Sequence, residues 1–509
     1  MKRYNLGVLA IPAVAFVMGL AGTATPATVS ASDLRLQAIE GSATPSSPPP
    51  HARGRARRAV EEALPAPEPE PTPPPPEPEP DPDPEPAPPP PPPPPPPEPD
   101  PEPDPDPDPE PAPLPPGSMV NACSSHYDNG YTPVLGQSSL TQPSASRPAK
   151  NVRTTDARFG TCVVRVTDHR NEPVNQFARA SYSREQAFNA GDTRLLVVAG
   201  DGTYHLYNGN TLAYIKALPE IGGNDGEPQW HPTNPKLLRY WDRNNRMRLR
   251  EMDVDTGQAT TLVDFSQVGL PWSGVTRVWT RWEGSPSKDG RYWCLMAQGS
   301  SDSMRGVFTF DLQTKTILGT RSMSARPDHV SMSPSGRHCV VSHVRANGGT
   351  TSWNRSLTSQ RHLHAASEHS DLALAKNGDD LYVFVDYDTD GSLKMINLDT
   401  GAHTSMFSTY IAGTATAYHI SARSLDTPGW ILLSTYSGGG TERWLHRKVM
   451  AVELKSNPTI INLAHHHSVY NGYWTAPTAT VNRDFTRVLF NSNWSTTSSS
   501  DIDTYMIQL

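Results

Sequence analysis

This sequence is short of cysteine, of one-sided charge and of long apolar runs. Four cysteines stand in 509 residues, none in a Cys-x-x-Cys pair, which argues against a zinc knuckle. No Gly-x-Ser-x-Gly, His-Glu-x-x-His or P-loop pattern occurs, so the chemistries those patterns carry have no support. The formal charge of −8 is unevenly spread: residues 1–117 hold 18 acids and 7 Lys or Arg, and residues 118–509 hold 34 acids and 37 bases. A part near +3 has no basic surplus of the kind nucleic acid needs, and no nucleic-acid partner is expected. After the N-terminal segment no run is long and apolar enough to span a bilayer.

The N-terminal segment has a pattern of its own. Lys2 and Arg3 precede the apolar run "LGVLAIPAVAFVMGLAG", and "VSA" at 29–31 offers small residues for cleavage. This predicts a secretory signal peptide over 1–31, with an uncleaved anchor as the alternative. The cleaved chain is then expected to be secreted or periplasmic, with no membrane span. Residues 32–117 follow as a linker. A basic patch, "HARGRARR" (51–58), leads into a tract where Pro alternates with Glu and Asp. Such a tract has no apolar surface to offset ordering entropy, so it is predicted to be disordered. In polyproline form, at about 3.1 Å per residue, it would reach on the order of 150 Å.

Residues 118–159 read as an N-terminal extension and 160–509 as an all-β domain. Short runs of Val, Ile, Leu, Tyr and Trp alternate there with Gly, Asn, Asp and Ser turns. The pattern repeats. One element is a strand, a turn at Asp-Thr-Gly or a relative, and a strand, as in "MDVDTGQATTL" (252–262) and "INLDTGAHTSM" (396–406). A second precedes each copy, as in "EGSPSKDGRYWCLMA", "HVSMSPSGRHCVVSH" and "DLALAKNGDDLYVFV"; seven copies can be counted. Together they make a four-stranded meander of roughly 45–50 residues, the unit of a β-propeller. Seven blades are predicted, with six or eight as neighbouring counts. The regular turns argue against a pair of β-sandwiches. "TCVVRVTD" (161–168) is expected to complete the last blade beside the final strand "TYMIQL". An exported chain permits disulfides. Cys123 with Cys162 would staple the extension to the domain. Cys294 and Cys339 occupy comparable strands of successive repeats, and either pair or stay as buried thiols.

The residue that opens each innermost strand faces the mouth of a propeller's channel. Seven positions before the turn glycine stand Glu283, His329 and Asp371; Glu227 and His419 match them in blades two and six, with Glu185 in blade one and Thr478 in blade seven. Arg281, Arg326, Asp328, Glu368 and His369 flank these positions. A mixed set of carboxylates and imidazoles suits a divalent cation, zinc, manganese or calcium, with Glu227, Glu283, His329, Asp371 and His419 as the expected ligands. It also suits acid–base work, because imidazole titrates near neutral pH. The plain alternative is a channel plugged by salt bridges and water. "AHHHS" (464–468) is expected to end an outer strand rather than hold a metal.

The "SPSG" turn followed by an apolar strand resembles the TolB-like propeller repeat, over roughly 180–509. An exported all-β propeller with histidines at the channel mouth also resembles the oligogalacturonate lyase and ulvan lyase families. That resemblance implies β-elimination on an acidic polysaccharide, where a cation or Arg masks the uronate carboxylate and a base removes the α-proton. His329, His369 and His419 would be the matching catalytic positions, with Arg326 or Arg281 as the masking cation. The chain departs from the oligogalacturonate lyases at their last-blade Gln-x-x-His-x-His cluster, where it has "YWTAPTATV". A different class of function fits the same fold: a non-catalytic propeller, displayed on a long spacer, that binds a protein or glycan of the cell envelope.

Overall fold

The structure, a computed structural model, describes Cys123 and residues 126–128, 130–411, 416–436 and 443–509. The expected signal peptide and linker lie outside the described residues. β-Branched and aromatic runs broken by Gly, Asn and Asp favour strands and tight turns. The described chain is accordingly made of strands, and no helix among the described residues is long and apolar enough to cross a membrane.

The repeats are seven four-stranded antiparallel blades. In blade four the strands His329–Met332, His338–Ser342, Thr350–Asn354 and Gln360–His364 are neighbours in chain order. Its "SPSG" turn needs φ +73° at Gly336, and the matching Gly290 takes +70°, conformations that a side chain would strain. The innermost strands of the other blades are Ala178–Arg179, Gln229–Trp230, Val275–Trp279, Ser370–Leu374, Ala417–Ser421 and Thr480–Val481.

Alternation along each strand sends successive side chains to opposite neighbours. Leu195 and Val197 of blade one pack with Leu489 and Met506 of blade seven, while Leu196 and Val198 pack with Trp230 and Leu238 of blade two. Tyr382 and Phe384 of blade five pack toward blade four, and Leu381 and Val383 toward blade six. Apolar clusters of this kind join every successive pair of blades, blade seven to blade one included. A single blade would leave both faces wet, so the ring is the smallest unit that buries them.

The chain closes its ring in the way the end segments predict. Cys162–Arg165 lies antiparallel to Asp503–Gln508, from Cys162 opposite Gln508 to Arg165 opposite Tyr505, and is the outer strand of blade seven. The extension is part of the propeller: Val134–Leu135 adds a strand to blade six, and Arg153–Thr155 pairs outside Cys162–Arg165. Both cysteine pairs form disulfides, Cys123–Cys162 and Cys294–Cys339, with Cα atoms 6.0 and 5.3 Å apart. The second bond staples blade three to blade four and decides against buried thiols.

Two inner strands differ from the repeat spacing. In blade three the spacing predicts a strand from Glu283, but the ladder strand is Val275–Trp279. Arg281 and Trp282 then take φ of 66° and 72° and break it. The chain continues beside blade four instead: Val330 N–H donates to Thr280 O (3.1 Å) and Met332 N–H to Ser285 O (3.0 Å). Gly284 permits this approach, because a Cβ there would stand 1.9 Å from Val330 O. In blade one the ladder pauses after Ala178–Arg179 and resumes at the Phe188–Leu195 bridge. Residues 180–186 bulge between them, and this bulge reaches the channel.

Candidate functional site at the channel mouth

Arg184, carried by the blade-one bulge, crosses the channel mouth. Its Nη1 lies 2.6 Å from Glu283 Oε2 of blade three and 2.7 Å from His329 Nε2 of blade four. Its Nη2 donates to Glu368 O at 3.2 Å and Ser370 Oγ at 3.3 Å, at the start of blade five. Arg184, Glu283 and His329 are all buried. Asp328 Oδ2 is 3.5 Å from His329 Nδ1 and accepts from Ser367 Oγ at 2.9 Å, while Arg281 Nη1 is 3.1 Å from Asp328 Oδ1. Four blades are therefore tied at the axis by one guanidinium and the groups around it. Arg184 stands beside Glu185, the blade-one position picked out by the repeat; Glu185 itself accepts from Tyr204 Oη at 3.4 Å.

The remaining ring positions have other partners. Glu227 accepts from Thr280 N–H and Oγ1 at 2.9 Å, Trp282 N–H at 2.5 Å and Trp241 Nε1 at 3.0 Å. Burial pushes its carboxyl up, and those donors work against the rise. Asp371 holds Arg423 of blade six in a fork, at 2.7 Å to Nη2 and 3.2 Å to Nε, and accepts from Ala422 N–H at 2.8 Å. Thr478 accepts from Arg179 Nη2 (2.7 Å) and Asn491 Nδ2 (2.6 Å). Arg326 pairs with Asp302 at 3.2 Å on the exposed rim. Of the five residues expected to share a cation, Glu283 and His329 meet at Arg184, 3.8 Å apart, while Glu227, Asp371 and His419 have other partners; the groups of metal-ligating side chains found among the described residues lie elsewhere.

His369 and His419 do come together. Their rings stack at 4.8 Å and 25°, His419 stacks on Tyr436 at 4.8 Å and 12°, and Tyr182 meets His419 edge-on at 5.3 Å. His419 is buried, whereas His369 is only half-buried. His369 Nδ1 donates to Tyr418 O in a short contact, which fixes Nδ1 as a protonated nitrogen. Beside Tyr436 lies a cavity of about 280 Å³ lined by Tyr436, Arg447, His466, Val469 and Tyr470, near the lower end of ligand-site sizes. Tyr470 and Trp474 are among the exposed aromatics, and Arg179 lies over the Trp474 ring at 5.4 Å.

The histidine run ends the outer strand Ile460–His465, as its context predicts, and each ring has its own setting. His465 Nδ1 is 3.6 Å from Asp156. His466 Nε2 donates to Thr435 O at 2.7 Å and its Nδ1 accepts from Ser468 N–H at 2.9 Å. Burial pushes its imidazole down to about 3. His467 stacks on Trp494 at 4.5 Å.

One further group joins Glu368, a flanking residue of the mouth, to two residues that the repeat did not single out. His364 closes the outer strand of blade four, Glu368 follows in the loop to blade five, and Asp388 sits in the blade-five run "DYDTDG" (386–391). Their ligand atoms lie within 4.8 Å of one another. The alternate aspartates before a glycine are the signal that points to this cluster in the sequence, since such spacing converges carboxylates in cation-binding loops.

The fold and the mouth define a seven-bladed β-propeller with a charge-closed channel and an imidazole–tyrosine stack at its rim. No family model matches the chain, and no curated protein does. Among solved structures it is similar to an oligogalacturonate lyase of Vibrio parahaemolyticus, with 14% identity, TM-score 0.49, and coverage of 70% of this chain and 96% of that one. An oligogalacturonate lyase in complex with manganese gives 16% identity and TM-score 0.49, over 70% and 95% of the two chains. The Pan2 WD40 domain of Neurospora crassa gives 10% and 0.42, over 68% and 95%. At such identities no residue role passes from those chains to this one.

Proposed function

We propose that this is an exported carbohydrate-active propeller that binds an acidic polysaccharide at the channel mouth and cleaves it by β-elimination. The observation that carries the reading is the His369–His419–Tyr436 stack beside a cavity with Arg447 on its wall. In this reaction a base takes the proton α to the uronate carboxylate. The electron pair forms a C=C bond, and the bond to the leaving glycan oxygen breaks, that oxygen taking a proton from water. His369 Nε2 is the base, with the ring oriented by the Tyr418 carbonyl at Nδ1. Arg447, exposed and with no ion-pair partner among the described residues, masks the uronate charge. His419 and Tyr436 orient the base, and the exposed Tyr470 and Trp474 offer faces for sugar rings. Arg326 and His329 act through the architecture of the mouth, since each is already paired. The two disulfides support an exported location.

The closed mouth favours a second reading, a propeller that binds an envelope protein or glycan without cleaving it. Arg184 fills the axis, and at the opposite end Lys288 and Arg483 meet Asp426 at 3.0 and 2.8 Å. Assay of the purified protein against a panel of acidic polysaccharides, following the ultraviolet absorbance of unsaturated uronates, separates the two. Cleavage that is lost in His369→Ala and weakened in Arg447→Ala supports the lyase. Binding without cleavage supports the second reading. Neither binding nor cleavage of any acidic glycan sinks both glycan readings.

A further inference from the structure

We infer that His364, Glu368 and Asp388 form a binding site for a divalent transition cation, of the zinc or manganese class, between blades four and five. His364 Nε2 is buried and faces carboxylate oxygens of Asp388 at 3.1 Å, Asp386 at 3.9 Å and Glu368 at 4.0 Å. Ligands bonded at about 2.0–2.2 Å around one ion stand roughly 3–4 Å from one another, so these separations match a shared centre.

Charge points the same way. Glu368, Asp386, Asp388 and Asp390 all act on the Tyr410 phenol, which burial first and then these carboxylates push up. The cations facing them are Lys394 and Arg345. Lys394 Nζ is 2.8 Å from Asp386 and 3.2 Å from Asp390, and Arg345 meets Asp388 from the exposed side. Four carboxylates against two cations leave a deficit of two charges, which one divalent ion closes.

The nature of the loop selects the ion. The run Asp386, Asp388, Asp390, Gly391 has the one-three-five-six spacing of an oxygen-only calcium loop. Here Lys394 occupies the first and third of these aspartates with its own ammonium. Asp388, the middle one, turns instead to His364. An imidazole nitrogen with two carboxylates suits zinc or manganese better than calcium. The second cluster of this type, His169, Asp501 and Asp503, is different in charge: Arg147, Arg165 and Arg170 lie 2.7 Å from its carboxylates and already neutralise it. The inference is independent of glycan cleavage, because it concerns a cluster that the elimination does not use.

The test uses the full exported chain, stripped with chelator and dialysed, then titrated calorimetrically with ZnCl2, MnCl2 or CaCl2. Melting of each metal-free variant checks its fold. One equivalent of zinc or manganese is expected to bind wild type, with little response to calcium. His364→Ala and Asp388→Asn should weaken that binding by at least about 100-fold, more than is typical for loss of an outer-shell partner. His169→Ala should bind as wild type does. No zinc or manganese bound by folded wild type would overturn the site, leaving a plain His364–Asp388 ion pair. Calcium binding without zinc or manganese would overturn the nitrogen ligand. Binding that survives both variants but is lost in His169→Ala would move the site to the other cluster.

Discussion

Replacing Arg184 with methionine tests whether charge closes the channel. The side chain keeps its length and loses its guanidinium. Glu283 then stands buried without the Nη1 that lies 2.6 Å away, and His329, Glu368 O and Ser370 each lose a partner. Removing one member of a buried ion pair typically costs about 3–5 kcal/mol, because the other charge stays desolvated. For a domain of this size that is a fall in Tm of roughly 5 °C. Differential scanning calorimetry at neutral pH reads it directly. The double variant Arg184→Met/Glu283→Gln removes the carboxylate that lost its guanidinium and should recover more than half of the loss. A single variant that melts within about 1 °C of wild type, or a double variant no better than the single, would refute the reasoning. The first result would mean that water enters the mouth and solvates Glu283.

Two further outcomes follow from covalent and titrating groups in the ring. Breaking the blade-three to blade-four staple with Cys294→Ser/Cys339→Ser should cost about 2–4 kcal/mol of unfolding free energy in urea melts, the range expected for a loop of this length; no loss would argue against the bond. His466 is held down to about 3 by burial, against about 6.5 in an unfolded chain, so the unfolded state takes up the proton first as pH falls. Its stabilising contribution is full above about pH 6.5 and declines toward pH 3. A plot of Tm against pH should slope down over that window in wild type and be flatter in His466→Gln; equal slopes would remove His466 as the cause.

The number of blades, the closing strand and the outer-strand position of the histidine run could all be read from the sequence. Each depends on period-two alternation and on turn residues such as Gly336, whose effects are local. The ionisable character of the mouth was legible for the same reason, since it repeats at one position of each copy. How those groups pair was decided only by tertiary structure. The left-handed residues Arg281 and Trp282 and the bulge at 180–186 shift two inner strands out of the repeat, and the bulge sends Arg184, rather than its neighbour Glu185, across the axis. His364, Glu368 and Asp388 meet because blade four ends beside a loop of blade five. A repeat pattern carries the order of blades around the ring. It carries no information on which side chains from different blades reach one point, because that depends on closure of the whole ring and on the few residues where the backbone leaves its ladder.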